Sequence, residues 1–88
     1  MGQIHIARQS ESEFLVRVEG EGGSTEHRVT VPETYYQRFS GKLSTPEEFV
    51  RASFLFLLER EPKESILRRF SIEAIQKYFP EYEEVLLL

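Results

Sequence analysis

The feature that most constrains this chain is a change in the spacing of its apolar residues at Pro32. Before it, in residues 1–31, apolar and polar side chains alternate, which is the pattern of half-buried strands. After it, in residues 32–88, apolar side chains recur at helical spacing. Because 88 residues can build one modest core, both halves must share it. We therefore predict a single α+β domain.

Three strands are predicted in the first half, joined by short turns. Their inward-facing apolar residues are Ile4, Ile6, Phe14, Val16, Val18, Val29 and Val31, with His27 on the same face by parity. The glycine-rich stretch 20–24 suits a hairpin turn between the second and third strands. Consecutive strands with short connections favour an antiparallel β-meander with one apolar face.

Proline and capping residues mark the helices of the second half. Thr45 can cap a helix that Pro46 opens, Glu48 is placed for a capping box, and the helix should run to about Arg60. Shorter helices are predicted at residues 32–39, 62–70 and 72–79. We expect these three to four short helices to pack on one face of the meander.

The helix predicted at 46–60 is more apolar than one buried face requires. Its apolar side chains spread well beyond the roughly 100° stripe of an ordinary surface helix. Leu55 lies apart from the others, on a polar side with Arg51 and Glu59. If the sheet and the C-terminal helices do not cover this helix, we expect a second copy of the chain to supply the remainder.

The last four residues are all apolar and follow a glutamate-rich stretch. They are Val85, Leu86, Leu87 and Leu88. Such a segment left free in water would favour aggregation, so we expect it to dock, either on its own domain or on a neighbour. With Leu55, these four residues are the predicted partner-binding residues.

The residue types missing from this chain exclude many classes of catalytic and metal-binding site. The chain has no Cys, Asp, Asn or Trp, which excludes thiolate metal sites, iron–sulfur clusters, cysteine nucleophiles and Ser-His-Asp triads. His5 and His27 lie among glutamates, but no further ligand is spaced to complete a zinc site. We interpret both as half-exposed strand residues with ordinary pKa values. We predict no catalytic, metal-binding or cofactor-binding residue, and hence no enzyme.

A second hypothesis concerns residues 27–60. A strand with Arg28 and Thr30 facing outward, then a helix, then the capped helix from Pro46, resembles the core of ribbon-helix-helix repressors. The resemblance implies that the strand pairs with its dimer mate and that Arg28 and Thr30 contact the DNA major groove, in a transcriptional regulator or antitoxin. The net charge of −4 opposes binding to phosphate, so we expect no nucleic-acid partner.

The main hypothesis is therefore a non-catalytic module that binds a protein partner or a second copy of itself. The N-terminal residues lack an apolar leader segment. The longest apolar run, residues 54–58, is far shorter than a membrane span. We expect a cytoplasmic homo-oligomer with no membrane contact.

Overall fold

The structure is a computed structural model that describes residues 3–88. It contains a four-stranded sheet with helices on one face, so the predicted α+β class is confirmed. The strands are β1 (Gln3–Arg8), β2 (Glu13–Gly20), β3 (Gly23–Thr30) and β4 (Arg69–Ser71). The helices are α1 (Glu33–Tyr36), α2 (Pro46–Leu58), α3 (Ile75–Tyr78) and α4 (Tyr82–Leu87), with 3-10 turns at Lys63–Ser65 and Ile72–Ala74.

The first three strands form the predicted antiparallel meander. In the order β1-β2-β3, each strand pairs with the next, and the second hairpin closes on the pair Gly20 and Gly23. The turn between them is therefore shorter than the predicted loop. Gly22 has a φ of +86° and Gly23 a φ of +117°, values that side chains with a Cβ rarely adopt, so this tight turn requires glycine.

The prediction of a helix at 62–70 is wrong, and this segment instead adds a strand to the sheet. After a single 3-10 turn the chain becomes extended, and β4 pairs parallel with the end of β3. Val29 lies beside Phe70, and the amide of Arg28 donates to the carbonyl of Arg68 at 2.7 Å. The sheet is thus mixed and four-stranded, because a free strand edge outcompetes local helix propensity.

The other short helices differ from the prediction in length. The segment predicted at 32–39 is helical only in α1 and then continues as tight turns to Leu43. Residues 72–79 divide into a 3-10 turn and the single turn of α3. The C-terminal segment, for which no helix was predicted, forms α4.

Helix α2 begins at Pro46, as predicted, and one of the two hydrogen bonds of the predicted capping box is present. The Thr45 hydroxyl accepts a hydrogen bond from the Glu48 amide at 3.1 Å, and Pro46 occupies the first turn, where its missing N–H costs nothing. The helix ends at Leu58, two residues before the predicted end at Arg60. Along its inner side, the Ser53 hydroxyl lies 2.6 Å from the Tyr82 hydroxyl of α4, and both residues are buried.

The core joins the inner face of the sheet to α2 and the C-terminal elements. Five strand residues predicted to face inward are buried in it, Phe14, Val16, Val18, Val29 and Val31. From α2 it takes Phe49, Phe56 and Leu57. Aromatic contacts connect its parts. Phe39 stacks on Phe49 with ring centroids 4.5 Å apart, and Phe56 meets Tyr82 edge-on at 5.2 Å. The packing of α2 between the sheet and α4 therefore rests on large side chains.

Replacing Phe56 by alanine should destabilise the fold by about 3–5 kcal/mol, because it removes a buried ring from between two other aromatic residues. Urea unfolding of dilute protein, at which self-association does not contribute, measures the loss. Leu55→Ala in the same helix turn is the matched control. It removes an exposed side chain and should change the free energy of unfolding by less than about 0.5 kcal/mol. Similar losses in both variants would contradict the assigned helix orientation.

Candidate functional site

Six large apolar side chains remain exposed within residues 3–88 after the core has formed. They are Leu55, Leu67, Tyr78, Val85, Leu87 and Leu88. Isolated exposed leucines are common, but grouped ones mark interaction surfaces. Leu67 and Tyr78 line a groove beside α3, whereas the other four lie on α2 and at the C-terminal end of the chain.

We call Leu55, Val85, Leu87 and Leu88 the tail surface. On α4, Tyr82 and Leu86 are buried, whereas Val85 is 37% exposed, Leu87 47% and Leu88 81%. Of the four C-terminal residues predicted to dock, only Leu86 is buried in its own domain. The other three predicted residues point away from the core.

Helix α4 is held firmly in place by polar contacts as well. The Glu83 carboxylate accepts hydrogen bonds from the Tyr35 hydroxyl and the Arg38 guanidinium, each at 2.7 Å. At the start of α4, Arg60 donates to Glu81 at 3.1 Å. Val85 and Leu87 of the tail surface are therefore carried by an anchored helix.

Leu55 is 54% exposed and lies on the solvent side of α2. Four residues earlier, Arg51 donates to the carbonyl of Ile4 on the edge strand β1 at 3.0 Å. One residue later, Phe56 contacts Tyr82 of α4. At about 100° per residue, this arrangement puts Leu55 between the sides of α2 that face β1 and α4. The predicted position of Leu55 on an exposed side with Arg51 and Glu59 is confirmed.

A second surface, which the sequence analysis missed, is a groove of about 340 Å³ beside α3. We call it the C-terminal groove. Its lining residues are Leu57, Glu61, Ser65, Ile66, Leu67, Phe70, Ala74, Ile75, Tyr78 and Phe79. The lining is mostly apolar, with one carboxylate and two hydroxyl groups. Its volume is at the lower end of the range for ligand sites.

His27 fastens one wall of the C-terminal groove to the sheet. Its Nδ1 lies 2.8 Å from the Leu67 carbonyl and its Nε2 lies 2.8 Å from the Thr25 hydroxyl. A neutral ring satisfies both contacts if Nδ1 donates to Leu67 and Nε2 accepts from Thr25. The prediction of a half-exposed His27 with an ordinary pKa is wrong, because the residue is fully buried and that burial lowers its pKa.

The two histidines lie on different strands and on opposite faces of the sheet. Strand β2 separates β1 from β3, and His5 is exposed on the outer face of the sheet while His27 is buried on the inner face. His5 lies 3.5 Å from Glu19 across the strand pair. Among residues 3–88, no group of three or more His, Cys, Asp or Glu residues is arranged to hold a metal ion.

Arg28 and Thr30 lie on the exposed outer face of β3, as predicted. Arg28 faces Glu13 at 3.7 Å on one side and has Arg69 beside it in register on the other. At this point β3 pairs with both β2 and β4. It has no free edge there for a second copy, although the ribbon of a ribbon-helix-helix dimer requires one.

Comparison of the chain with protein-family models, curated proteins and solved structures gives no match. Within residues 3–88, no helix has the length and apolar character needed to cross a membrane.

Stability should fall as the pH drops below about 6.5, the ordinary pKa of histidine in an unfolded chain. The folded state holds His27 at a lower pKa, so the unfolded state binds the extra proton first and gains stability. Urea unfolding at about pH 7.5 and about pH 5.5 measures this loss.

His27→Gln should show a smaller loss between the two pH values, whatever its absolute stability. His5→Gln, which changes an exposed histidine, should keep the loss of the parent protein. Glu64 and Glu81, whose pKa values are lowered by hydrogen bonds, contribute only at lower pH. An equal pH dependence in the parent and His27→Gln would contradict the role of His27.

Proposed function

We propose that this protein is a non-catalytic, cytoplasmic interaction module that self-associates through the tail surface. The observation that carries the proposal is that Leu55, Val85, Leu87 and Leu88 stay exposed although α2 and α4 are anchored. A frayed end exposes apolar side chains because it lacks contacts. Here the helices that carry Leu55, Val85 and Leu87 have buried contacts of their own, so these side chains are exposed on anchored helices.

Helix α2 offers a self-complementary contact. Arg51 and Leu55 lie four residues apart on its exposed side, and Glu59, the residue that caps its carboxyl end, continues that spacing. If a twofold axis passes through Leu55 and pairs two antiparallel copies of α2, equal offsets face each other. Leu55 then meets Leu55 of the second copy, and Arg51 faces the second copy's Glu59 twice over. Opposite charges around an apolar centre are the usual arrangement of an interface.

We call Arg51, Leu55 and Glu59 the α2 stripe. Its two charged groups are available for such a contact. The Glu59 side chain is 75% exposed, with one contact to Arg60 at 3.4 Å. Arg51 uses one of its nitrogens for the Ile4 carbonyl, and a guanidinium has five N–H donors.

The twofold contact predicts the outcome of charge reversal. Glu59→Arg and Arg51→Glu should each raise the dimer dissociation constant by about tenfold, because each places like charges opposite one another. The double variant should recover most of the parent's affinity, and Leu55→Glu should be monomeric. Size-exclusion chromatography with light scattering over a dilution series measures these constants.

Glu64→Arg is the matched control, since it makes the same charge change outside the α2 stripe and should leave dimerisation unchanged. A monomeric parent at every concentration would refute self-association. The ratio of absorbance at 260 and 280 nm in the same runs tests the DNA-binding alternative, for which we expect no nucleic acid to accompany the protein.

Of the four C-terminal residues, Leu86 should contribute to the stability of the fold, and Val85, Leu87 and Leu88 should contribute to self-association. Leu86→Ala should lower the free energy of unfolding by about 2–3 kcal/mol, because Leu86 is buried. Leu88→Ala should leave stability within about 0.5 kcal/mol and weaken association, because Leu88 is exposed. Urea unfolding of dilute protein measures the first effect and light scattering the second. If Leu88→Ala alters stability and leaves association unchanged, the tail surface is not an interface.

A further inference from the structure

The C-terminal groove contains a carboxylate that forms no salt bridge within residues 3–88. Glu61 is half-buried in the lining and has neither a salt bridge nor a side-chain hydrogen bond among the described residues. The nearest cations in sequence are Arg60 and Lys63, and both are bound elsewhere. Arg60 stacks on Phe56 and pairs with Glu81, while Lys63 pairs with Glu64 at 2.8 Å and donates to the Glu21 carbonyl at 3.0 Å.

Glu61 lies just past the end of α2. Its amide donates to the Leu57 carbonyl at 2.9 Å, so Glu61 directly follows the last turn of the helix. The partial negative charge of this helix end is already offset, because the Arg60 guanidinium donates to the Phe56 carbonyl at 3.1 Å. The carboxylate of Glu61 is therefore the acidic group available to a ligand in an otherwise mostly apolar groove.

We propose that the C-terminal groove binds a segment of a partner protein in which apolar side chains flank one lysine or arginine, with the cation on Glu61. The apolar lining fits the flanking side chains, and the Ser65 and Tyr78 hydroxyls can bond to the peptide backbone. The rim is open, since Leu67 is 51% exposed and Tyr78 69%. Such an open groove suits side chains laid along a surface better than an enclosed small molecule.

The C-terminal helix of a second copy is a poor occupant of this groove. It is apolar, but Glu83 and Glu84 would approach Glu61 with like charge. The groove and the tail surface share no residue, so this site does not depend on self-association.

Short acetylated peptide amides that differ at one position test the proposal. In each, two leucines flank a central lysine, glutamine or glutamate. Amide chemical shifts of the isotope-labelled full chain report where each peptide binds and how tightly. The lysine peptide should shift amides of residues 57–79 and bind about two- to fivefold more tightly than the glutamine peptide, with the glutamate peptide weakest.

Glu61→Gln should abolish the preference for lysine while leaving binding of the glutamine peptide unchanged. Glu73→Gln removes a nearby exposed carboxylate outside the lining and should keep the preference. Leu67→Ser should weaken all three peptides, and retained chemical shifts in β1–β3 show that each variant folds. Equal binding of the lysine and glutamine peptides, shifts confined to the tail surface, or no binding by any peptide would each overturn the proposal.

Discussion

The contact on which most of the architecture depends is the one between His27 and the Leu67 carbonyl. It joins β3 to the extended chain that follows the 3-10 turn at Lys63–Ser65. Next to it, the amide of Arg28 donates a hydrogen bond to the carbonyl of Arg68. These bonds align β4 with β3, bring Phe70 beside Val29, and lead the chain into α3 and α4. Without them, β4 would lose the bonds that align it with β3. A single neutral imidazole with two partners thus connects the two halves of the domain.

Features encoded by neighbouring residues could be predicted from the sequence. Alternation along β1–β3 identified the inner and outer faces, and Thr45 with Pro46 located the start of α2. The exposed position of Leu55 followed from its place on the helix circumference. In each case the determining spacing lies within one element, so tertiary contacts reinforce the local pattern.

Features that depend on distant residues could not be predicted in this way. Residues 62–70 have helical spacing of charge, yet they meet a free strand edge some forty positions earlier in the chain, and the ladder decides their conformation. The burial of His27 follows from the same pairing, as does the C-terminal groove, whose lining comes from α2, β4 and α3. Candidate residues on single helices were therefore visible, while a site assembled from several elements was not.

The hydrogen bond from Arg51 to the carbonyl of Ile4 limits how copies of this protein can assemble. An edge strand with free carbonyl groups can recruit another strand, and the new strand offers a fresh edge, so growth continues without limit. Here one carbonyl of β1 is occupied by a guanidinium, and the opposite edge strand, β4, is only three residues long. Polymerisation along the sheet is hindered at both ends. Contacts between helices about a twofold axis, by contrast, stop at two copies.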